Sequence, residues 1–144
     1  MPYENATSGD KAMGEIQRIL QRFGCARFGV MTDTEAGVLL VQFEHRGQKV
    51  SLPASFTGYA AAWLRENPYT TRRRCTEAEW KQKAYEIGST AVYSILRDWV
   101  KAQVTAVETG LLTFEEVFMP HMLLPDGRRF VDHGRTLLRL PNPE

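Results

Sequence analysis

Residues 76–110 read TEAEWKQKAYEIGSTAVYSILRDWVKAQVTAVETG, and the pattern predicts one long helix around which the other elements have to pack. Thr76 and Glu79 have the spacing of a capping box, and Gly110 follows the last turn as helix-stopping glycines do. Between them, two rows of apolar residues recur at helical intervals, so the helix is expected to contact more than one partner. The rows are Trp80, Ala84, Ile87, Ala91, Ile95, Trp99 and Val107, interrupted by Gln103, and Val92, Leu96, Val100 and Val104.

Upstream of that helix, three short runs rich in β-branched and aromatic residues predict strands. They are separated by the turn-forming stretches DTEAG and HRG, whose glycines suit tight reversals. Connections this short join neighbouring antiparallel strands, so we expect a three-stranded meander with one face to bury. The runs are ARFGVMT (26–32), VLLVQFE (38–44) and QKVSL (48–52), the last ending at Pro53.

A helix near the N-terminus can cover that face. Ser8 or Asp10 can cap it, and apolar residues at helical spacing carry it to about Phe23. The predicted fold class is therefore α+β: a three-stranded antiparallel β-meander packed against helices and dominated by one long helix in the C-terminal half. The 144 residues suit a single domain, with 1–9 and 139–144 as irregular tails.

The remaining segments predict shorter elements and complete the expected core. TFEE (113–116) is a second capping box and predicts a short helix that ends near Pro120, while PDG (125–127) predicts a turn. Another short helix is expected over 59–66, and Pro68 prevents its continuation. The large apolar residues predicted to lie largely in the core are Phe28, Phe43, Trp63, Trp80, Ile95 and Trp99.

A cluster of basic and aromatic residues precedes and opens the long helix, around RRRCTEAEW (72–80). Arginines neutralise phosphate and aromatic rings stack on bases, so this mixture is typical of surfaces that bind single-stranded nucleic acid. Arginines ahead of a helix N-terminus are also locally unfavourable, and a bound anion would relieve that cost. The candidate nucleic-acid-binding residues are Arg65, Tyr69, Arg72, Arg73, Arg74, Lys81 and Lys83.

Two other interpretations of the same cluster stay open on sequence grounds. The arginines can form a solvated loop without a partner, or they can contact an acidic protein surface. Trp80 lies on the apolar stripe of the long helix, which favours a core position over base stacking. The chain has 18 Lys and Arg against 17 Asp and Glu, a net charge of +1, whereas a dedicated DNA-binding domain has a clear basic excess.

The sequence lacks the motifs that mark common catalytic and cofactor sites. It has no GxxxxGK[ST], GxGxxG, GxSxG or HExxH, so we expect no cofactor and no metal, and a non-enzymatic protein is favoured. Cys25 and Cys75 lie outside any CxxC pattern and are expected to be ordinary reduced thiols. The polar start MPYENATSGDK and the absence of a long apolar run predict a cytoplasmic protein that does not enter a membrane.

One catalytic alternative fits the order of residues in the meander. Metal-dependent nucleases of the PD-(D/E)xK type place an aspartate near one strand and Glu-x-Lys on the next, where the carboxylates hold a divalent ion. Asp33 precedes the strand that carries Glu44, His45 and Arg46, but arginine, which stays protonated, stands where the pattern has lysine. A metal-dependent nuclease is therefore the third and least favoured hypothesis.

AVETGLLTFEEVFMPHMLLPDGRR (106–129), taken together with the meander RFGVMTDTEAGVLLVQFEHRGQKVSLP (27–53), resembles a family of small proteins of tailed phages and prophages. The resemblance covers roughly residues 15–131. It implies a protein of the host-cell cytoplasm that assists DNA replication or recombination, or that inhibits a host defence enzyme. The shared motifs are a cap, a turn and a glycine stop, so the resemblance carries no catalytic residue over.

These observations lead to two main functional hypotheses. The first is a non-enzymatic phage or prophage accessory protein that binds single-stranded nucleic acid through the basic and aromatic segment. The alternative is a protein-binding module that inhibits a host defence or transcription enzyme and has an acidic host protein as its partner. The near-neutral net charge and the lack of catalytic motifs favour this alternative. The long helix can also supply the interface of a homodimer.

Overall fold

The computed structural model describes residues 1–142 and has the predicted α+β architecture. A three-stranded antiparallel sheet packs against helices, and one helix of 32 residues dominates the C-terminal half. Nowhere in residues 1–142 does a helix combine the length and the apolar content that crossing a membrane requires. The elements in chain order are α1 (Gly9–Arg22), β1 (Arg27–Asp33), β2 (Val38–His45), β3 (Gln48–Ser55), α2 (Thr57–Glu66), α3 (Glu77–Glu108), α4 (Phe114–Phe118), a 3-10 turn (Met119–His121) and α5 (Phe130–Leu137).

The sheet is the predicted meander, with strand order β1-β2-β3 and both pairs antiparallel. The two residues that join β2 to β3, Arg46 and Gly47, have φ of 50° and 80°. Positive φ at both positions is the geometry of a type I′ turn, whose twist matches the strands it joins. The prediction that β3 ends before Pro53 is wrong, because β3 continues to Ser55. A proline is tolerated there since β3 lies at an edge of the sheet.

α1 covers the sheet as predicted and is capped by Ser8. The Ser8 hydroxyl accepts a hydrogen bond from the Lys11 amide at 3.1 Å. Ala12, Ile16 and Leu20 are spaced four residues apart and form a fully buried row on the inner side of the helix. That row joins the main core, which also contains Leu39, Val41, Phe43, Val50, Leu52, Val100, Val104 and Phe118.

α3 is the predicted long helix, and it packs against different partners along its length. The Thr76 hydroxyl accepts a hydrogen bond from the Glu79 amide (3.1 Å), and Gly110, with φ of 73°, follows the last turn. The first half of α3 packs on α2 around Trp80 and Ala84, whereas the second half packs on α1, the sheet and α4. The wide apolar stripe therefore serves two separate hydrophobic clusters.

The core prediction is wrong for two residues, Phe28 and Ile95, since each has 36% of its surface exposed to solvent. Phe28 lies on β1, an edge strand that is exposed along most of its length. Ile95 leaves the buried face because a row of residues spaced by four rotates about 40° per step around a helix with 3.6 residues per turn. The buried position beside it is Leu96. The core prediction is confirmed for Phe43, Trp63 and Trp80, while Trp99 is half-buried against the main core.

The segment after α3 contains the predicted cap and turn. The Thr113 hydroxyl accepts from the Glu116 amide, and the Glu116 carboxylate accepts from the Thr113 amide, each at 3.2 Å. The Gly127 amide donates to the carbonyl of Leu124 (2.9 Å), and Gly127 has φ of 86°. This segment is attached to the sheet by a bridge between Val50 and Met122.

The sequence predicts the irregular N-terminal segment but not the helix near the C-terminus. α5 was not predicted, and none of its residues is buried. Residues 138–142 are irregular, and the remainder of the predicted tail, 143–144, lies outside the described residues. Residues 1–8 are irregular but contact the helices, since the Tyr3 hydroxyl donates to Asp98 of α3 at 2.7 Å.

Candidate functional site

The loop that carries the arginines, residues 67–76, packs against a small apolar cluster between α2 and α3. Trp63 and Trp80 pack with their ring centroids 5.0 Å apart, and Ala60 and Ala84 complete the buried part of the cluster. The Trp80 indole N–H donates to the carbonyl of Asn67 at 2.8 Å. This bond attaches the loop to the packed helices at the point where the chain leaves α2. Asn67 was not among the residues predicted for this site.

Further hydrogen bonds close this loop on itself. The Tyr69 hydroxyl donates to the carbonyl of Cys75 (2.8 Å), which lies at the far end of the loop. The Arg73 amide donates to the carbonyl of Thr70, and the Arg73 Nε donates to the carbonyl of Pro68, both at 3.1 Å. The arginine segment therefore has a defined shape, and the Tyr69 hydroxyl already has a partner.

Arg73 packs on Trp80. Its guanidinium carbon lies 3.8 Å from the centre of the Trp80 ring, and the ammonium of Lys83 lies 5.1 Å from the same ring. Cations over an indole face are attracted by the ring quadrupole. Trp80 is only 8% exposed, so it offers no face to a nucleic-acid base. The interpretation of Trp80 as a core residue is confirmed.

Most of the basic candidates have no carboxylate partner. Within residues 1–142, Lys81 is the only one of the six that forms an ion pair, with Glu77 at 3.8 Å. Arg72 and Arg74 are exposed, although Glu77 and Glu79 lie in the next turn of the chain. Their positive charges are therefore available to an external anion.

The structure brings together only part of the predicted set. Arg74 and Lys83 line one concavity of about 430 Å³, together with Arg73, Trp80, Cys75 and Glu79. Lys81 lines a different concavity beside Thr34 and Tyr85, and Arg65 lines neither. We use the term cationic surface for three exposed basic residues: Arg74 and Lys83, which line the first concavity, and Arg72, which lies two residues before Arg74 in the chain.

Positive charge is concentrated in this part of the chain. Residues 72–83 contain five basic and two acidic side chains, a net charge of +3, while the whole chain carries +1. The two acids, Glu77 and Glu79, lie in the first turn of α3, where a carboxylate is favoured by the helix dipole. The small net charge of the chain thus conceals a local basic excess.

Two buried histidines lie outside the cationic surface. Within residues 1–142, the Nδ1 atoms of His45 and His121 are buried without a hydrogen-bond partner. His45 stacks on Phe23 with centroids 4.1 Å apart, and His121 packs edge-on against Trp99 at 5.6 Å. Burial lowers the pKa of both imidazoles, which favours their neutral form.

The geometry does not form the carboxylate pair that the nuclease hypothesis needs. The register pairs Asp33 with Val38 at one end of the β1–β2 ladder and Glu44 with Arg27 at the other. Glu44 lies six residues from Val38 along β2, roughly 20 Å at the rise of a strand. No group of three His, Cys, Asp or Glu residues in the described chain is arranged to hold a metal ion.

Comparisons of the chain with protein-family models, with curated proteins and with solved structures found no match. The resemblance to small phage and prophage proteins therefore rests on the sequence motifs and stays a prediction. The structure shows the local role of two of these motifs. TFEE (113–116) caps α4, and LPDGR (124–128) forms the turn before α5.

Proposed function

We propose that this protein binds single-stranded nucleic acid through the cationic surface and has no catalytic role of its own. The observation that carries the proposal is that Arg72 and Arg74 lie exposed and without an ion pair within residues 1–142, ahead of the α3 N-terminus. The resemblance over residues 15–131 suggests the setting of such binding, namely an accessory of phage or prophage DNA replication or recombination.

Charge and position favour a phosphate as the group that binds here. Cations beside the positive end of a helix dipole repel it, and an anion between them removes that repulsion. Arg74 and Lys83 lie on one concavity, so a backbone phosphate can contact both. Arginine presents two parallel N–H donors that match phosphate oxygens.

The contacts should be made to the backbone rather than to the bases. Trp80 is covered, and Tyr69 is partly buried against the Trp63–Trp80 cluster, so neither ring is presented as a free stacking platform. Contacts to phosphate position a nucleic acid without reading its sequence. We therefore expect binding with little preference among sequences.

The test is the anisotropy of a fluorescent single-stranded oligonucleotide at low ionic strength. The variant Arg72→Glu/Arg74→Glu/Lys83→Glu should weaken binding by about tenfold or more, because it replaces three phosphate contacts by repulsion. The matched control Lys11→Glu/Arg18→Glu/Lys101→Glu changes three exposed basic residues elsewhere and alters the net charge equally. Equal weakening by both variants would show that only net charge matters, and lack of binding by the unmodified protein would end the proposal.

A second candidate function is the binding of an acidic host protein, and the C-terminal end favours it. Leu137, Leu138 and Leu140 expose 67%, 71% and 53% of their surface, and Arg139 lies among them, while Arg135, which precedes them, is already paired with Asp132. Exposed apolar groups next to positive charges suit a partner with an acidic and apolar surface. A complex with a host protein should then survive nuclease treatment, and Leu137→Ser/Leu138→Ser should abolish it. The variant Arg72→Glu/Arg74→Glu/Lys83→Glu should leave that complex intact.

A further inference from the structure

β1 presents an unpaired strand edge. The sheet order places β1 at one side, and no other strand within residues 1–142 pairs with its outer edge. All seven residues of β1 pair continuously with β2, so the strand is regular and contains no bulge. Natural edge strands are usually protected by proline, lysine, a bulge or a covering element, because their free N–H and C=O groups attract other strands. β1, with the sequence RFGVMTD, has no proline, lysine or bulge.

The sequence of β1 is complementary to itself when it is reversed. If a second copy lies antiparallel with Val30 opposite Val30, all seven residues of each strand find a partner. In that register Arg27 of each copy lies opposite Asp33 of the other, so the two ends carry matched opposite charges. A shift of one or more residues loses both charge pairs and shortens the ladder. The longest register is thus also the one with the best electrostatic match.

The side chains between the charged ends also fit this register. Met31, which is 65% exposed, lies opposite Gly29 of the second copy on the outer face of the sheet. A Cβ at Gly29 would meet no atom within 4 Å, so there is open space for the Met31 side chain. Phe28, 36% exposed, lies opposite Thr32 on the other face. Pairing would therefore cover the two large apolar residues that β1 leaves exposed.

The charged residues keep the capacity that the pairing requires. Arg27 binds Glu44 through one terminal nitrogen at 3.0 Å, which leaves the other guanidinium donors available. Asp33 uses Oδ1 to accept from the amides of Glu35 and Ala36, while its Oδ2 accepts no hydrogen bond within residues 1–142. Each side chain can therefore add a contact without losing the one it has.

We propose that two copies of this chain pair antiparallel through β1, with Val30 at the two-fold axis, and form a continuous six-stranded sheet. The interface of this homodimer is the sheet edge and not α3. The proposal rests on the geometry of β1 and does not depend on nucleic-acid binding.

Sedimentation of charge-reversed variants across a wide concentration range tests the register. Arg27→Glu places acid opposite acid and Asp33→Arg places base opposite base, so each variant alone should dimerise at least about tenfold more weakly than the unmodified protein. An equimolar mixture should recover dimerisation, because in the mixed dimer the two substituted side chains face each other with opposite charges, and the unmodified Asp33 and Arg27 face each other at the other end. The proposal is overturned if the unmodified protein is monomeric at all concentrations. It is also overturned if the mixture dimerises no more strongly than either variant alone.

A second set of variants keeps the test decisive if a charge reversal harms folding. Asp33→Asn keeps a side-chain oxygen that can accept the hydrogen bonds from the Glu35 and Ala36 amides, and it removes only the charge. Thermal unfolding shows whether each variant is folded. Met31→Lys should weaken dimerisation because it brings a charge onto the pairing edge. Leu111→Lys is the matched control, since Leu111 is 75% exposed and lies after α3. Equal effects of these two substitutions would place the interface elsewhere.

Discussion

Arg72, Arg73 and Arg74 are adjacent in the chain, yet the structure gives them different surroundings. Arg73 is half-buried, donates to the carbonyl of Pro68 and lies over the Trp80 ring. Arg72 and Arg74 are exposed and have no ion pair within the described residues. The arginine run therefore contains one residue that stabilises the loop and two that are free to bind.

Arg73→Ala is expected to lower the free energy of unfolding by about 1–2 kcal/mol, because it removes a cation–π contact and a hydrogen bond. Arg72→Ala and Arg74→Ala should change it by less than about 0.5 kcal/mol, as exposed substitutions do. Urea unfolding of the three variants makes the comparison. Equal destabilisation by all three would contradict the separate role of Arg73.

Acid is expected to destabilise the fold through its buried histidines. Burial, with Arg46 nearby, holds the pKa of His45 below 6.5, and burial with Arg129 nearby does the same for His121. Below about pH 6.5 these histidines therefore bind more protons in the unfolded chain than in the folded chain. Their contribution to the free energy of unfolding is fully present above that pH, and it is lost as the pH falls through the folded-state pKa values.

Urea titrations above and below pH 6.5 measure this effect. His45→Phe keeps an aromatic ring against Phe23 and removes the titrating group, so it should flatten the pH dependence. His133→Phe is the comparison, because His133 lies on α5, whose residues are not buried. If His45→Phe leaves the pH dependence as steep as His133→Phe does, the buried imidazole is not its source.

Among the helices, Gly88 of α3 lies directly against the backbone at the start of α2. A Cβ added there would lie 2.8 Å from the carbonyl oxygen of Phe56 and 3.1 Å from the amide nitrogen of Ala60. Both are backbone atoms, so the two helices would have to move apart. Glycine in α3 is therefore a packing requirement.

Gly88→Ala should destabilise the protein by about 1–3 kcal/mol, because overpacking outweighs the better helix propensity of alanine. Gly14→Ala in α1 is the matched control: the nearest atom is the Arg18 guanidinium nitrogen at 3.4 Å, which can move. That control should stabilise by about 0.5–1 kcal/mol. Thermal unfolding distinguishes the two, and stabilisation by both would show that the helices tolerate the added methyl group.

The elements that the sequence predicts well are those with local signals. Thr76, Thr113 and the glycine turns mark ends that depend only on neighbouring residues, and the structure has those ends where they were expected. α5 was missed because its start at Arg129 has no side-chain cap and because Gly134, a poor helix former, lies inside its eight residues. Phe28 was placed in the core because its residue type does not show how far the helices cover the outer strand of the meander, and β1 is left exposed along most of its length.

The candidate site shows the same division between local and tertiary signals. Lys81 and Lys83 are two residues apart on a helix, so helical geometry alone places them on different sides, as the structure does. Which arginine turns back onto Trp80 depends on the path of the loop after Asn67, and three identical residues give no local sign of it.

At the scale of the whole molecule, charge is distributed unevenly around a nearly neutral chain. The net charge of +1 includes +3 from residues 72–83, so the rest of the chain is slightly acidic. A nucleic acid would be attracted to one side and weakly repelled by the remainder, which orients the encounter. The sheet edge of β1 is a separate surface, since it shares no residue with the cationic surface.

The salt dependence of single-strand binding measures how many phosphates the cationic surface neutralises. Three cations that each neutralise one phosphate predict that the logarithm of the binding constant falls with the logarithm of salt concentration with a slope of about −2. The variant Arg72→Glu/Arg74→Glu/Lys83→Glu should bring that slope close to zero. A slope that is near zero in the unmodified protein, or that is unchanged in the variant, would contradict the assignment of the cationic surface.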